Sequence, residues 1–477
     1  MGQDIQPGAR LGSSPSGGGE HCKGLRAPIV SSPEDVGKMP AAQDADCHGA
    51  AMEAELRVLV PPRRQGYRAC FLCWPIGGGT IHTMNMNVAS NAQPEVGRAL
   101  SVDADFPGGN IVLERINGDS VLVHQDLRDT TEWWFYWHFR VRGGASRTLT
   151  FQFTQGDVIG TRGPAVSTNG GASWRWLGRD AVRDTAFTHT FAPEDHEVRF
   201  AFALPYTEAD LDRFRARFPN STRLRSEVLC RTRKGREAEL LHIGRLDGQA
   251  VHRVLLTCRH HACESIASYV LEGLMETVLA AEAQGDAAGG WLRDNVEFLV
   301  VPFVDKDGVE EGDQGKLRYP RDHNRDYDGD SVHATTGALR AFVPAWSEGK
   351  LKVALDLHCP WIRGEHNEVI YFVGGPDERN WAQIQRFSAA LEDVRAGQLP
   401  YHRSDNLPFG QGWNTAANTS QGRSFGGWAR DLPGIVLAST LETPYANVYD
   451  QTVTPDAARA LGRDLAHALC RYLAEAE

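Results

Sequence analysis

Five nearly continuous apolar runs in the second half of the chain decide which fold class it can adopt. They read "RVLLTC" (253–258), "VEFLVVPFV" (296–304), "LKVALDLH" (351–358), "EVIYFVGG" (368–375) and "GIVLASTLE" (434–442). Helical stretches such as "ESIASYVLEGLMETVLAAEAQ" and "ERNWAQIQRFSAALEDV" lie between them. Apolar strands that alternate with helices are typical of an α/β sheet buried on both faces. In such folds ligands bind at the carboxyl ends of the strands.

Shorter strand-like runs fill residues 98–205, ahead of the α/β pattern. The runs "NIVLERI", "SVLVHQDL", "WWFYWHFRV", "RTLTFQFTQ" and "HEVRFAFAL" are β-branched or aromatic and partly alternating. Turn signals such as "RGGA" and "TNGG" separate them, which predicts a small antiparallel β-sandwich domain. The aromatic residues Trp133, Trp134, Tyr136 and Trp137 suit core packing better than a ligand platform.

Residues 1–95 show no sustained periodicity and are dense in glycine and proline, as in "LGSSPSGGGEH". We expect a disordered extension, or upstream sequence read through an early start codon, with Met84 or Met86 as the true start. The pair "CFLC" at 70–73 has the spacing of a zinc ribbon, but no second pair completes it. We expect no catalytic role for this segment.

Charge and cysteine content narrow the function classes. A formal charge of −11 and a pI near 5.9 argue against a nucleic-acid partner or a polybasic membrane role. No apolar run is long enough to span a bilayer, so we expect no membrane association. Nine scattered cysteines do not form a disulfide framework, which favours a reducing, cytoplasmic location.

Polar residues stand where three of the apolar strands end. His261 and Glu264 form the only HxxE of the chain and follow "RVLLTC", His358 ends "LKVALDLH", and Glu442 ends "IVLASTLE". Two histidines and one carboxylate are a ligand set of catalytic zinc sites, because they leave a coordination position for water. A further carboxylate near that water can act as a general base. Each of these motifs alone is weak evidence of a zinc site, but the ordered set is hard to obtain by chance.

This order of motifs resembles the zinc metallocarboxypeptidase family. HxxE, a "DG" loop, "HNRDY", "DLH" and "STLE" follow one another over roughly residues 98–477. The preceding β-sandwich, joined through "LPYTEADL", resembles the cytosolic carboxypeptidase (deglutamylase-like) subfamily. The resemblance implies a mixed-sheet α/β/α catalytic domain over residues 206–477. It also implies hydrolysis at the C-terminus of a peptide or protein by a zinc-activated water.

The family's functional residues carry over onto matching positions. One zinc ion per chain is expected on His261, Glu264 and His358, with Glu442 as the glutamate that activates the water and then protonates the leaving amine. Asn324 and Arg325 match the Asn-Arg pair that binds the terminal carboxylate, a role that suits a guanidinium beside an amide.

Arg318 in "GKLRYP" matches the arginine that stabilises the oxyanion, but the stretch to Asn324 is short, so Arg321 competes for this role. Asp305 replaces the asparagine of the family's "NPDG" motif. The family's substrate-capping tyrosine has no match before Glu442, and Tyr445 lies after it.

Three other chemistries are disfavoured. Cys263 with His260 would be a cysteine–histidine pair, but no orienting Asn or Asp is evident. "DYDGDS" (326–331) lacks the glycine position and the final glutamate of a calcium loop. "GDQGKLR" contains Gly-Lys without the spacing of a phosphate-binding loop.

The sequence leaves open which side chain the enzyme prefers at the C-terminus of its substrate. The stretch 419–434 is expected to wall the specificity pocket, where Arg423 or Arg430 would pair with an acidic side chain, while Phe425 and Trp428 would equally suit an apolar one. Two further functions are compatible with the motifs. One is a zinc amidase or deacylase that acts on non-peptide or cell-wall-derived amides, and the other is an inactive zinc-binding interaction protein.

Overall fold

The structure, a computed structural model, describes residues 99–419 and 421–475, and these belong to one compact unit. The predictions made for residues 1–95, including the "CFLC" pair and the alternative starts at Met84 and Met86, lie outside the described residues.

Residues 101–201 form two five-stranded sheets that pack face to face. Their strands are β1 (Ser101–Asp103), β2 (Val112–Asn117), β3 (Ser120–His124), β4 (His138–Arg142), β5 (Thr148–Phe153), β6 (Ala165–Ser167), β7 (Arg175–Trp176), β8 (Val182–Arg183), β9 (Ala186–Thr190) and β10 (Glu197–Ala201). The strand orders are β1-β4-β10-β6-β7 and β2-β3-β5-β9-β8. All pairs are antiparallel except β3 with β5, so the predicted antiparallel sandwich is confirmed with one parallel pair.

Buried aromatic rings fill the space between these two sheets. Phe139 and Phe200 from one sheet meet Phe151 and Phe187 from the other, with ring centroids about 5 Å apart. Trp137 stacks on the same group. Aromatic pairs of this geometry contribute beyond the area that they bury. Core packing therefore accounts for Trp137, as its sequence context predicted.

A mixed seven-stranded sheet forms the second half of the unit. Its strands are β11 (Leu224–Arg231), β12 (Glu237–Gly244), β13 (His252–Cys258), β14 (Val296–Val301), β15 (Leu351–His358), β16 (Tyr371–Val373) and β17 (Leu437–Glu442). Their order is β11-β12-β14-β13-β15-β17-β16. The four inner strands are parallel, and the outer ones pair antiparallel. A small two-stranded ladder follows, formed by β18 (Asn447–Val448) and β19 (Gln451–Thr452).

Helices cover both faces of the seven-stranded sheet. They are α1 (Glu208–Arg215), α2 (Ile266–Leu279), α3 (Ala281–Gln284), α4 (Ala287–Asn295), α5 (Lys306–Glu311), α6 (Ala334–Ser347), α7 (Glu378–Val394), α8 (Phe425–Ala429) and α9 (Pro455–Ala474). Apolar residues of α2, α7 and α9 share one core with the sandwich, and those of α6 and α8 form a second core on the opposite face. The predicted mixed-sheet α/β/α architecture is confirmed. None of the described helices is long and apolar enough to cross a membrane.

Buried hydrogen bonds join the β-sandwich to the loop that follows α5. The side chain of Gln314 accepts from the backbone N–H of Tyr136 and donates to its carbonyl, at 2.7 and 2.9 Å. Asn110 donates to the carbonyl of Gly312 at 2.7 Å. These contacts fix the position of residues 312–318. The predicted domain boundary between 205 and 206 falls between β10 and α1 and stays a prediction.

Candidate active site

The sheet topology brings His261, Glu264 and His358 together. Strands β13 and β15 are parallel neighbours, so their carboxyl ends meet at one edge of the sheet. Nδ1 of His261 lies 2.6 Å from Oε1 of Glu264, and Nδ1 of His358 lies 2.7 Å from Oε2. All three residues are buried. Two imidazole nitrogens and a carboxylate that converge in this way are a donor set that suits zinc.

Two aspartates orient the imidazole rings. Nε2 of His261 lies 3.2 Å from Oδ1 of Asp322, and Nε2 of His358 lies 2.6 Å from Oδ2 of Asp356. A carboxylate on one ring nitrogen leaves the other nitrogen as the ligand atom. In both histidines Nδ1 is therefore the atom that faces Glu264. The sequence motifs did not identify Asp322 or Asp356 as part of the site.

A second group of ligand-type side chains, His260, Asp356 and His358, lies next to the first. Both nitrogens of His260 are already engaged, at 2.8 Å from Asp356 and at 2.8 Å from the hydroxyl of Tyr327. His260 is fully buried and does not line the cavity described below. The first group is therefore the better candidate for a metal ion that a substrate can reach.

The two histidines stabilise the ionised form of Glu264. Burial alone would raise the pKa of its carboxyl, but His261 and His358 hold that pKa well below its usual range. An ionised carboxylate between two imidazoles is the protonation state that metal binding requires.

Glu442 faces this group from the next strand. Strand β17 pairs with β15 in parallel, and the register places Glu442 opposite His358. The carboxylate is buried, and its Oε2 accepts no hydrogen bond within the described residues. Burial raises the pKa of Glu442 to about 7, and His358 only partly counteracts this. A buried, unpaired carboxylate is costly and marks a candidate functional site.

Asn324 and Arg325 are fixed in the wall of the same cavity. The side-chain carbonyl of Asn324 accepts from the backbone N–H of Phe425 at 2.9 Å, so its amide N–H₂ group faces away from that contact. Arg325 donates to the backbone and side chain of Asn418 at 3.0 and 2.7 Å, and to the carbonyl of Asn324 at 2.7 Å. Three of its five N–H groups are thereby used, and two are left for a ligand.

These residues line one cavity of about 400 Å³. It is lined by His261, Glu264, His358, Asn324, Arg325 and Glu442 together with Lys316, Tyr371 and Arg430. Aromatic side chains of Trp134, Trp361, Phe409 and Trp413 stand around the same cavity. Three of these four are 36–43% exposed, which is unusual for large apolar residues. Trp134, expected to be a core residue, is thus part of the cavity wall.

Arg318 and Arg321 do not line this cavity. The guanidinium of Arg318 lies 2.6 Å from Asp305 and 2.9 Å from Asp313, and its side chain is only 13% exposed. Arg321 donates to Asp326 at 2.9 Å. Arg318 therefore holds the loop that begins at Asp305, the residue that replaces the family's asparagine. A lysine near them, Lys316, does line the cavity, and the sequence motifs did not single it out.

Of the two arginines in residues 419–434, only one lies in the cavity wall. Arg430 lines the cavity, and its guanidinium forms neither a hydrogen bond nor an ion pair with any described residue. Arg423 pairs with Asp431 and with the carbonyl of Gly427 instead. Phe425 and Trp428 lie in α8, and their side chains are buried in the second core. The stretch thus presents a cation, rather than an apolar surface, to the cavity.

The disfavoured chemistries find no support in the described contacts. Cys263 is fully buried, and burial raises the pKa of its thiol to about 12. Asp326 of the "DYDGDS" stretch accepts from Arg321 and from the backbone of Val332 and His333, so its oxygens are used internally. Tyr445 is buried away from the cavity, whereas Tyr371 lines it and stands opposite Glu442 in the strand register.

A parallel α/β sheet whose strand ends hold two histidines and two glutamates around one cavity is typical of metallohydrolases. The comparison with known families is more specific, since residues 207–350 match the family described as zinc carboxypeptidase. This part of the chain is therefore similar to the zinc carboxypeptidases, and the resemblance that the motifs predicted is confirmed.

Two relatives are similar to the chain over part of their length. An uncharacterised protein of Zymomonas mobilis is 24% identical over 215 residues, which cover 44% of this chain and 54% of that protein. Cytosolic carboxypeptidase 2 of Macaca fascicularis is 31% identical over 233 residues, which cover 45% of this chain and 26% of that protein. The chain thus spans about half of the first relative and a smaller share of the second.

Solved structures share the fold of the described residues. A metallo-carboxypeptidase from Burkholderia cenocepacia has a TM-score of 0.66 at 18% identity, covering 80% of this chain and 100% of that one. A metallo-carboxypeptidase from Pseudomonas aeruginosa has a TM-score of 0.61 at 20% identity, covering 79% and 100%. At these identities the likeness concerns the fold, which includes the sheets that precede the α/β part.

Proposed function

We propose that this chain is a zinc-dependent carboxypeptidase that removes residues from the C-terminus of peptides or proteins in the cytoplasm. The observation that carries the proposal is the convergence of three kinds of group on one cavity. These are the candidate ligand set of His261, Glu264 and His358, the unpaired carboxylate of Glu442, and the hydrogen-bond donors Asn324 and Arg325. The five cysteines of the described residues are free, in keeping with a reducing compartment.

The ligand set fits one zinc ion per chain. Its donor atoms all lie within 4.8 Å of one another, and each histidine is held by an aspartate on its far nitrogen. When bound, zinc would supply Lewis acidity that lowers the pKa of a water molecule and polarises the scissile carbonyl. Three protein ligands leave the coordination position that such chemistry requires.

The chain's own residues would position the substrate and move the proton. Arg325 has two free N–H groups and Asn324 offers its amide N–H₂ group, and together they would hold the terminal carboxylate. Glu442 would take the proton of the attacking water and give it to the leaving amine nitrogen. A carboxyl with a pKa near 7 is suited to both steps at neutral pH.

A panel of peptides that differ only at the C-terminus tests this proposal. Peptides with a free terminal carboxylate should be shortened by one residue at a time, and the same peptides with an amidated C-terminus should stay intact, because they give Arg325 no carboxylate to bind. Mass spectrometry of the products distinguishes the cases. Cleavage of the amidated peptides would favour a zinc amidase, and zinc binding without any cleavage would favour an interaction protein.

We also propose a preference for acidic C-terminal residues, supported by Arg430. Its guanidinium is half-buried in the cavity wall without an ionic partner, and burial lowers its pKa, so the free cation is costly. Gly375 makes room for it, since a Cβ there would lie 2.3 Å from Nη1 of Arg430. A substrate carboxylate would complete the missing ion pair.

Replacing Arg430 by methionine should lower kcat/KM for a peptide ending in glutamate about 10–100-fold, because a hydrogen bond between charged groups contributes about 1.5–3 kcal/mol. Activity on a peptide ending in leucine should change little or rise. Arg423→Met is the matched control, because Arg423 pairs with Asp431 outside the cavity. An unchanged ratio of glutamate to leucine cleavage in Arg430→Met would contradict the acidic preference.

A further inference from the structure

We propose that Lys316 is a catalytic residue whose ammonium group donates a hydrogen bond to the oxyanion that forms at the scissile carbonyl. The inference rests on the proposed carboxypeptidase function and assigns a role that the sequence motifs gave to Arg318 or Arg321.

Lys316 contributes a cation to the wall of the cavity that holds the reacting groups. It lines the cavity together with His261, His358 and Glu442. Within residues 99–419 and 421–475 its Nζ forms neither a hydrogen bond nor an ion pair. A cation without an ionic partner in the wall of this cavity is available to a negative charge that develops there.

The backbone on both sides of Lys316 is tied to the turn that carries the candidate zinc ligands. Gly315 has a φ of 78° and packs so closely on this turn that a Cβ would lie 2.1 Å from the nitrogen of Ala262. Leu317 donates its N–H to Oδ2 of Asp322 at 3.0 Å, and Oδ1 of the same aspartate contacts His261. One carboxylate thus links the lysine's loop to a ligand.

Contacts with the β-sandwich fix the same loop from the other side. Asp129 accepts from the N–H of Gln314 at 3.0 Å and from that of Gly315 at 2.8 Å. Thr131 donates its N–H to the carbonyl of Leu317 at 3.1 Å. A donor on a backbone held in this way is organised in advance for a charge that develops during the reaction.

The two arginines nearby are held by carboxylates, and neither of them lines the cavity. Arg318 is enclosed by carboxylates: Asp305 and Asp313 lie within 3 Å, and Asp129 lies at 3.6 Å. These carboxylates more than offset burial and raise the pKa of Arg318 far above its usual range. Arg321 is bound to Asp326 and to the carbonyl of Asp330.

In the proposed reaction Glu442 carries the proton and Lys316 stabilises the oxyanion. The water oxygen adds to the carbonyl carbon, the electron pair of the C=O π bond moves onto the oxygen, and the water's proton passes to Glu442. Lys316 donates a hydrogen bond to the resulting oxyanion and transfers no proton. When the C–N bond breaks, the electron pair returns to re-form the carbonyl, and the proton on Glu442 goes to the leaving nitrogen.

The test compares Lys316→Met with the wild-type zinc-loaded enzyme on one peptide that the wild type cleaves. We expect kcat to fall about 10²–10³-fold, the loss seen when an oxyanion donor is removed. Zinc content and KM should stay close to wild type. Affinity for a phosphonate analogue of the peptide, whose tetrahedral anion mimics the intermediate, should fall by a similar factor.

Two further variants separate catalysis from structure. Lys316→Arg keeps the positive charge and should retain more of kcat than Lys316→Met. Lys350→Met removes a lysine at the opposite end of β15 and should change neither kcat nor analogue affinity. If Lys316→Met keeps wild-type kcat and analogue affinity, or loses its zinc, the inference is overturned while the proposed function stands. A wild-type enzyme that cleaves no peptide overturns both.

Discussion

Replacing Glu442 with glutamine is expected to abolish nearly all peptidase activity while leaving zinc bound. The amide has the same shape, but it cannot accept the proton of the attacking water or deliver one to the leaving amine. General acid–base catalysis of this kind contributes about 10²–10⁴-fold to the rate, and one residue would serve both steps here. The expected result is therefore a fall in kcat of at least that size, measured on a peptide with a free C-terminal carboxylate.

The fold should tolerate this change. Because burial raises the pKa of Glu442, its ionised form destabilises the folded protein at neutral pH, and removing the charge should not lower Tm. Zinc content and calorimetric binding of an uncleaved peptide should match the wild type. Glu378→Gln, at an exposed position at the start of α7, is the control and should leave kcat unchanged. Near wild-type turnover in Glu442→Gln would contradict the mechanism.

The strands and helices that the sequence predicted best are those with strong local signals at both ends. Strand β15 (Leu351–His358) matches its apolar run residue for residue, because it is central in the sheet and buried along its length. Helix α7 (Glu378–Val394) also matches, and Asp377 caps it by accepting from the N–H groups of Arg379 and Asn380. Burial and capping act on neighbouring residues, so a pattern reveals them.

Edges and aromatic runs were harder to predict. The run 368–375 gives only the three-residue strand β16, which lies at the edge of the sheet and pairs with a single strand, β17, before the chain leaves at Gly374 and Gly375. The aromatic run 133–141 pairs only from His138 onward, and Trp134 lines the cavity instead. The hairpin of β11 and β12 had no apolar signal in its first strand, which is mostly exposed.

The same distinction holds for the site. His261, Glu264, His358 and Glu442 could be found because each ends or follows a recognisable strand, and the sheet then brings them together. Lys316 has no such pattern: its place depends on the positive φ of Gly315 and on contacts with distant residues. Spacing to Arg318 was a reasonable guide, but spacing carries no information about three surrounding carboxylates.

Replacing His261 with alanine is the second prediction with a large expected effect, and it decides which histidine group holds the metal. Loss of one of three protein ligands should weaken zinc binding by more than about 100-fold, since even residues that only orient a ligand contribute about 10–100-fold. Activity should fall with the zinc content. Equilibrium dialysis against buffered zinc, followed by metal analysis, measures the affinity directly.

His260→Ala is the matched comparison, because His260 is the adjacent residue and belongs to the alternative group with Asp356 and His358. Its removal breaks buried contacts with Asp356 and Tyr327, so Tm should fall, yet zinc should still bind at one ion per chain when the metal is saturating. The reverse result, zinc retained in His261→Ala and lost in His260→Ala, would move the metal to the buried group. Because that group does not line the cavity, such a metal would be out of reach of a peptide, and the carboxypeptidase proposal would fall with it.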